Sequence, residues 1–377
     1  MPAFRWTWLL AAGLLLGVNP STAQLSEQAR VSLITLYPGD AVYALWGHSA
    51  LRIHDPASGF DIAYNYGTFD FGNLIVFIAR FAYGKLDYRL SRQHYPAVAH
   101  YMRRTQQRTA VEQHLQLSQQ QKAALFTFLE HNALPANRTY RYDFLLDNCS
   151  TRIRDLFTEV LGIALPASSG SEHTYRELLI PYTSGRSFLR LGINLGMGLP
   201  SDRVAVDRSF LPLELMDVLA AMHTDSGALV TRTDTLNFVP QTGSRPIPWA
   251  SAAALAVLML GLAVTFSRKP RAACIFDRVL YTVLGLSGLL IAFLWLISLH
   301  TVTHPNVHVL WLWPTHAVIA FCPRGAPWLR VYHLAAAILA AGTVAAIPLL
   351  PQTVPAAALP WILLVALRSG HLALKPA

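Results

Sequence analysis

The chain has 377 residues, 53% of them hydrophobic, and its 30 Lys and Arg against 21 Asp and Glu give a net charge of +9. Most of this charge lies beyond residue 247, where eight basic residues and a single acid, Asp277, give +7 among long apolar stretches. Such a pattern is typical of the loops of a membrane protein and excludes nucleic acid as the implied partner.

The first 23 residues read as a secretory signal peptide. Arg5 precedes an apolar run over 8–18, and the small residues Ser21 and Ala23 follow. The run is shorter than the roughly 20 residues that cross hydrocarbon, so we predict cleavage after Ala23. The segment that follows, 24–246, is then an exported domain.

The exported domain opens with the pattern of a small antiparallel sheet. β-Branched and aromatic residues alternate from residue 31 onward and are interrupted by "PGD" and "DPASG". We predict a hairpin whose turn centres near Ala57 and one of whose strands begins at His48. This register brings Tyr64, Asn65 or Tyr66 close to His48, and a slip of one residue exchanges the side chains that share its face.

Helices are expected in the next part of this domain. The apolar run 73–83 is too short to span a membrane and fits a buried helix or an interfacial segment. Further helices are predicted over 92–107 and 118–132, the second with Ser118 as N-cap and Gln121 at the capping-box position. A loop leads to Cys149, and a helix then runs to Gly162.

The last part of the chain, 247–377, predicts an all-α membrane domain of about five helices. The expected spans are 248–266, 279–299, 308–322, 331–350 and 355–368. The third and fifth are short, so a tilted, re-entrant or interfacial segment is the alternative for each of them. Since the first span follows an exported domain, the basic loops and the C-terminus fall on the cytoplasmic side. The predicted location is the bacterial inner membrane, with the N-terminal domain in the periplasm.

The three cysteines separate by compartment in this topology. Cys274 and Cys322 lie at the cytoplasmic side, so Cys149 is alone in an oxidising space. Its position at a helix N-terminus favours a thiolate, which is the nucleophilic form of cysteine. A base must take the thiol proton, and His48 is the best candidate because it begins a strand in an apolar setting. A buried, inert cysteine and a structural histidine remain the alternatives.

A second group of histidines lies in the membrane part, in "HTVTHPNVHVLWLWPTH". A metal site is one interpretation of this group, but Pro305 interrupts the spacing and no acidic residue is near. We favour histidines at the membrane interface, beside the aromatic anchors Trp311 and Trp313. No metal and no cofactor are predicted. The histidines are His300, His304, His308 and His316.

Seven segments of the chain follow one another in a recognisable order: "VYALWGHSALRIHD", "YNYGTFDF", "YGKLDYRL", "NRTYRYDFLLDNCSTRIRD", "LGINLGMGLPSDR" and "FLPLELMDVL" through about 30–240, and then "THPNVHVLWLWPTH". Together they resemble the Lnb-like lipoprotein N-acyltransferase family, with the last segment a fainter match. The resemblance implies an α+β exported domain with a circularly permuted papain-like fold of the NlpC type, in which the histidine strand precedes the cysteine helix.

The resemblance also implies roles for individual residues. Cys149 is the nucleophile, His48 the general base, and Asn65 or Tyr66 the polar partner that orients the imidazole. Asn148, or the backbone N–H groups around Cys149, would bind the oxyanion. Among the other positions, Asp202 matches a recurring family position and is assigned to the substrate. From the topology alone, His304 and Asn306 are candidates for guiding the substrate, because their loop lies on the same side of the membrane as the exported domain.

The implied activity is transfer of an acyl chain from a phospholipid donor to the N-terminal amine of a lipoprotein acceptor, through a thioester on Cys149. One alternative is a thiol peptidase or amidase that acts on cell-wall peptides, the commoner task of NlpC-type domains. A non-enzymatic membrane scaffold that binds lipid is another. The oligomeric state stays open.

Overall fold

The structure is a computed structural model that describes residues 24–70, 72–165, 172–240, 248–267, 269–323 and 326–374. The predicted signal peptide, 1–23, lies outside the described residues. The chain forms an N-terminal domain of mixed sheet and helix, followed by apolar helices.

A seven-stranded antiparallel sheet forms the centre of the N-terminal domain, with the strand order β6-β4-β3-β2-β1-β5-β9. A separate two-stranded ribbon pairs β7 with β8. The strands are β1 Arg30–Leu36, β2 His48–Asp55, β3 Phe60–Thr68, β4 Asp87–His94, β5 Ala110–Leu115, β6 Thr139–Arg141, β7 His223–Thr224, β8 Gly227–Ala228 and β9 Val230–Asn237.

The described part of this domain also contains seven α-helices. Alternating residues of β1 show that both faces of the sheet are covered. Val31 and Leu33 belong to the larger core, whereas Ile34 and Leu36 pack in a smaller one on the other face. The helices are α1 Leu74–Tyr83, α2 Tyr95–Tyr101, α3 Gln119–Asn132, α4 Cys149–Glu159, α5 Tyr175–Leu179, α6 Ser187–Gly196 and α7 Pro212–Ala221.

Local signals predicted some of these elements well. The β2–β3 hairpin turns over residues 56–59, and α3 begins with the predicted capping box between Ser118 and Gln121. The helix predicted over 92–107 is wrong in its first part, because β4 continues to His94 before α2 begins.

Among the described residues of the C-terminal part, four helices are long and apolar enough to cross a membrane, whereas about five were predicted. The first predicted span, 248–266, coincides with the first of these helices. The elements are α8 Trp249–Phe266, α9 Pro270–Leu296, the short α10 His316–Ile319, α11 Pro327–Ala346 and α12 Leu359–Leu374.

The third predicted span, 308–322, is not a continuous helix. It holds a single 3₁₀ turn, Val307–Leu310, and the four-residue α10, because Pro314 cannot continue the helical hydrogen-bond pattern. Leu199 donates to the carbonyl of Pro305 at the end of the helix bundle that contacts the N-terminal domain, whereas Pro323 lines a cavity with Ser267 at the opposite end. The chain therefore passes between the two ends of the bundle without a fifth long helix.

Neighbouring helices bury this irregular passage. Trp311 and Leu312 are 2% and 1% exposed, and α9 approaches closely at Gly288, where a Cβ would lie 2.4 Å from the carbonyl oxygen of Leu312. Irregular backbone is tolerated at membrane depth only where protein covers it. The prediction that Trp311 is an interfacial anchor is therefore wrong.

Two charged residues lie inside the membrane helices. Asp277 belongs to α9, which begins at Pro270 rather than at 279, and Arg368 belongs to α12, which continues to Leu374 rather than ending at 368. The two side chains form a buried bidentate ion pair with both N–O distances at 2.8 Å. Pairing accounts for the burial of both charges.

Candidate active site

Asn148 determines where α4 begins. Its side-chain Oδ1 accepts hydrogen bonds from the backbone N–H groups of Ser150 and Thr151, at 2.8 and 3.0 Å, and its own N–H is bound by the Thr151 hydroxyl. This is a complete capping box, and it places Cys149 at the first position of the helix. The unpaired N–H groups and the dipole of the first turn favour negative charge on the sulfur.

His48, the first residue of β2, lies beside Cys149 in the same cleft. Nε2 of His48 donates to Oδ1 of Asn65 at 2.7 Å, and the imidazole is close enough to the Cys149 thiol for each group to shift the pKa of the other. Since Nε2 is engaged by Asn65, Nδ1 is the nitrogen that remains for the sulfur. The structure therefore brings residues 48, 65 and 149 together.

The register of β2 and β3 separates Asn65 from Tyr66. Leu51 pairs with Tyr64, so residues 65 and 66 point to opposite faces of the sheet near His48. The Tyr66 hydroxyl donates to Asn132 at 2.9 Å within the larger core. Of the two partners left open by the sequence, Asn65 is the one hydrogen-bonded to His48.

The protonation equilibria of the two groups are coupled. Burial by itself would raise the pKa of the Cys149 thiol and lower that of the His48 imidazole. The charge and hydrogen bond that each supplies to the other outweigh burial, so the pKa of Cys149 is lowered and that of His48 is raised. Both shifts favour a thiolate–imidazolium pair.

A cleft of about 190 Å³ opens over the pair. His48, Asn65 and Cys149 all line it, and Arg108 contributes a buried cation. Burial lowers the pKa of Arg108 to about 10, while the charges of Tyr43 and Cys149 act in the opposite direction. Most of the remaining wall is aromatic or apolar: Tyr43, Trp46, Phe69, Tyr88, Tyr142, Phe144, Phe210, Leu211 and Pro212.

Sequence reasoning missed several residues of this cleft. Arg108 lies in a basic segment with the pattern of a solvated surface, yet it is 6% exposed and donates to the carbonyl of Tyr37 at 2.7 Å. The "YNYGTFDF" segment contained a usable signal, since a glycine inside a strand indicates a bulge or close approach. Gly67 shows both features. It lies at the register shift between β3 and β4, and the ring of His48 packs closely against it.

The side chain of Asn148 is not available for an oxyanion. Its amide nitrogen donates to the carbonyls of Phe144 and Phe210, at 2.7 and 3.0 Å, which uses both of its N–H bonds. Within the described residues, the backbone N–H of Cys149 has no hydrogen-bond acceptor. Of the two candidates from the sequence, the backbone group is therefore the free donor.

Asp202 and Asn306, predicted near the substrate, instead connect the two domains. Asp202 forms a buried bidentate pair with Arg176 and also accepts from the N–H of Thr353, in the loop before α12. Asn306 donates to the carbonyl of Leu195 and accepts from Gln352. Their polar atoms hold the N-terminal domain on the membrane helices. His304, half-buried in the same loop, is not among the residues that line the Cys149 cleft.

The histidines of the membrane part occupy separate environments. His308 and His316 are fully buried in the irregular passage, where His308 accepts from the Trp311 indole and His316 bonds to Tyr332. His300 donates to the carbonyl of Phe81 in α1. The described residues hold no cluster of three metal-ligating side chains. The interfacial interpretation is wrong for His308 and His316.

Fold and site together define a membrane protein whose N-terminal α+β domain holds a partly buried Cys–His–Asn constellation. The chain belongs to the Lnb family: residues 21–180 match the model of the Lnb N-terminal periplasmic domain, and residues 241–375 match the model of the Lnb transmembrane domain. No curated protein and no solved structure matches the chain. Family membership indicates a periplasmic N-terminal domain, membrane-spanning C-terminal helices and a role in lipoprotein processing.

Proposed function

We propose that the protein is a thiol acyltransferase that moves an acyl chain from a phospholipid to the N-terminal amine of lipoproteins. The contact between the His48 imidazole and the Cys149 thiol supports this proposal most strongly. It lies in a mainly apolar cleft of a domain held on membrane helices, where both substrates are anchored.

The first half of the reaction acylates Cys149. The thiolate attacks the carbonyl carbon of a phospholipid acyl ester, and negative charge develops on the carbonyl oxygen. The N–H of Cys149 stabilises that oxygen. When the ester C–O bond breaks, the His48 imidazolium gives its proton to the departing lysophospholipid oxygen, and a thioester remains.

The second half transfers the chain to nitrogen. The neutral N-terminal amine of a diacylglyceryl-cysteine attacks the thioester, and a C–N bond forms. His48 accepts the proton from that nitrogen, and Cys149 leaves as the thiolate. Asn65 keeps the imidazole oriented through both halves by its bond to Nε2. The aromatic wall limits water, which would otherwise hydrolyse the thioester.

The direct test uses purified protein reconstituted with phospholipid that carries a labelled acyl chain. We expect a hydroxylamine-sensitive label on Cys149, which then moves to a synthetic diacylglyceryl-cysteine peptide. Cys149→Ala abolishes both signals, whereas Cys274→Ala, a change in the membrane helix α9, retains them. Full transfer by Cys149→Ala would eliminate the proposal.

The same preparation separates the rival functions. Cleavage of peptidoglycan fragments without any acyl adduct would indicate a cell-wall peptidase or amidase. Absence of both reactions would favour a lipid-binding scaffold. In cells, mass spectrometry of lipoprotein N-termini with and without the protein tests whether the acyl chain reaches the amine.

A further inference from the structure

The helix α1 has an unusual surface for a domain outside the membrane. Every one of its ten residues is at least partly exposed, although nine of them are apolar or aromatic. A contiguous apolar patch of this kind is unfavourable in water and marks a contact surface. The large exposed side chains are Leu74, Ile75, Val76, Ile78, Phe81 and Tyr83.

The C-terminal end of α1 is attached to the point where a membrane helix ends. Its last three carbonyl groups accept hydrogen bonds from three consecutive residues just beyond α9: Tyr83 O from Leu299 N at 2.8 Å, Ala82 O from Ser298 Oγ at 2.7 Å, and Phe81 O from His300 Nε2 at 2.6 Å. The bonds place the end of α1 at the membrane surface, because α9 is a spanning helix that ends at Leu296.

The apolar surface of α1 is thereby continuous with the lipid-facing surface of α9. Leu296 and Leu299, at the junction, are 74% and 43% exposed. Arg80 and Lys85, at the end of α1, are exposed cations that suit the phosphate level of a bilayer. Hydrocarbon, rather than a water-soluble partner, therefore matches the chemistry of the whole surface.

A row of aromatic rings connects α1 with the Cys149 cleft. The distances between successive ring centroids are 6.5 Å from Phe81 to Phe77, 5.5 Å from Phe77 to Phe69, 4.9 Å from Phe69 to Tyr88 and 4.2 Å from Tyr88 to Tyr142. The last three of these residues line the cleft. The row therefore joins the membrane surface to the candidate nucleophile.

We propose that α1 inserts into the outer leaflet beside α9, and that an acyl chain of a membrane lipid reaches Cys149 along the Phe81–Tyr142 row. The second part rests on the proposed function, because it assumes that Cys149 accepts an acyl group. In this arrangement the lipid ester moves sideways into the cleft while its remaining chain stays in hydrocarbon. The lipid is never fully extracted into water.

Insertion is tested without reference to activity. A photo-cross-linking amino acid replaces Ile78 in the full chain, which is reconstituted in vesicles that contain radiolabelled phospholipid. We expect labelled lipid on position 78 and background labelling from the same substitution at Leu134, an exposed leucine in the loop after α3. Background labelling at 78, or cross-linking to protein instead of lipid, would overturn insertion.

The route is tested by comparing two acyl donors. The quantity compared is a ratio: the rate of Cys149 acylation from vesicle phospholipid divided by the rate from a short-chain soluble ester. We expect this ratio to fall by about tenfold or more in the double variant Ile75→Glu/Ile78→Glu. The matched control Leu134→Glu retains the wild-type ratio. An unchanged ratio in the α1 variant would refute the route.

The two sets of results also separate this inference from the proposed function. Lipid cross-linking at 78 without any acylation of Cys149 would mean that the proposed function fails while α1 still contacts lipid. Acylation of Cys149 from vesicles without lipid cross-linking at 78 would mean that the proposed acyltransferase activity is correct, whereas α1 does not insert into the bilayer and has another partner.

Discussion

Gly67 lies against the imidazole of His48 with no space for a side chain between them. A Cβ at this position would be 3.0 Å from Cε1 of His48 and 3.8 Å from the Cβ of Cys149. The backbone φ of Gly67 is +126°, which side-chain-bearing residues rarely adopt. The absence of a side chain here is therefore a condition for the contact between the two reactive groups.

Gly67→Ala should displace the imidazole and lower the reactivity of Cys149 by about tenfold to a hundredfold, because a small misplacement of a reacting group is costly. The measurement is the rate of alkylation of Cys149 by iodoacetamide at neutral pH. Gly59→Ala is the matched control, since it also has a positive φ, of +71°, but no atom within 4 Å of its Cβ. Equal loss in both variants would mean that backbone strain, not contact with His48, is responsible.

Asn65→Ala should shift the pH dependence of Cys149 alkylation. The hydrogen bond that His48 donates to Asn65 raises the pKa of His48, so without it the imidazolium loses its proton at a lower pH. The thiolate then has a weaker partner, its pKa rises toward the ordinary 9.0, and the acid limb of the alkylation profile moves to higher pH. His48→Ala should move that limb further in the same direction.

Tyr66→Phe is the control for this series, since the lost hydroxyl is bonded to Asn132 and not to His48. Its alkylation profile should coincide with that of the unmodified protein. A shift in Tyr66→Phe combined with none in Asn65→Ala would reverse the assignment of the orienting residue.

Asn148→Ala should destabilise the N-terminal domain by about 1–2 kcal/mol, the usual cost of removing a helix N-cap. Thermal unfolding in detergent measures this loss, and Asn148→Ser should recover much of it because serine is also a good cap. Ser118→Ala provides a comparison at the more exposed capping box of α3. Unchanged stability together with a large loss of acyl transfer would point to a catalytic side chain at 148.

Asp202→Asn should weaken the attachment of the N-terminal domain to the membrane helices. Arg176 is 3% exposed, and removal of one partner from a buried ion pair typically costs about 3–5 kcal/mol. Limited proteolysis and thermal unfolding should both reveal the loss. Asp40→Asn breaks the exposed pair with Arg186 and should leave both measurements unchanged. Similar behaviour of the two variants would contradict the docking role.

The sequence predicted local features of the site more reliably than its contacts. The N-terminus of α4, the strand that begins at His48 and the capping box of α3 follow from residues close together in the chain. Strands β5 and β9 were not predicted, because β9, "VTRTDTLN", is mainly polar and pairs with residues more than a hundred positions away. The permuted papain-like arrangement and the cytoplasmic C-terminus stay predictions.

In the membrane part, too, local features were predicted from the sequence and long-range contacts were not. Apolar length alone located four of the five expected spans, since a helix satisfies its backbone hydrogen bonds internally. The segment 308–322 is apolar enough to be taken for a helix, but its conformation depends on Pro314 and on the close approach of α9. The ion pair between Arg368 and Asp277 likewise depends on two helices that are distant in sequence, and the sequence did not predict it.

By itself, the sequence determined that an apolar helical domain follows an α+β domain, and that a lone thiol stands at a helix N-terminus after an early histidine strand. These properties depend on periodicity, capping and hydrophobic length, all of which act over short stretches of chain. Only the tertiary structure decided that Asn65 holds His48, that Arg108 lies in the cleft, and that Asp202 and Asn306 join the domains. Those outcomes depend on strand register and burial, which are set by residues distant in sequence.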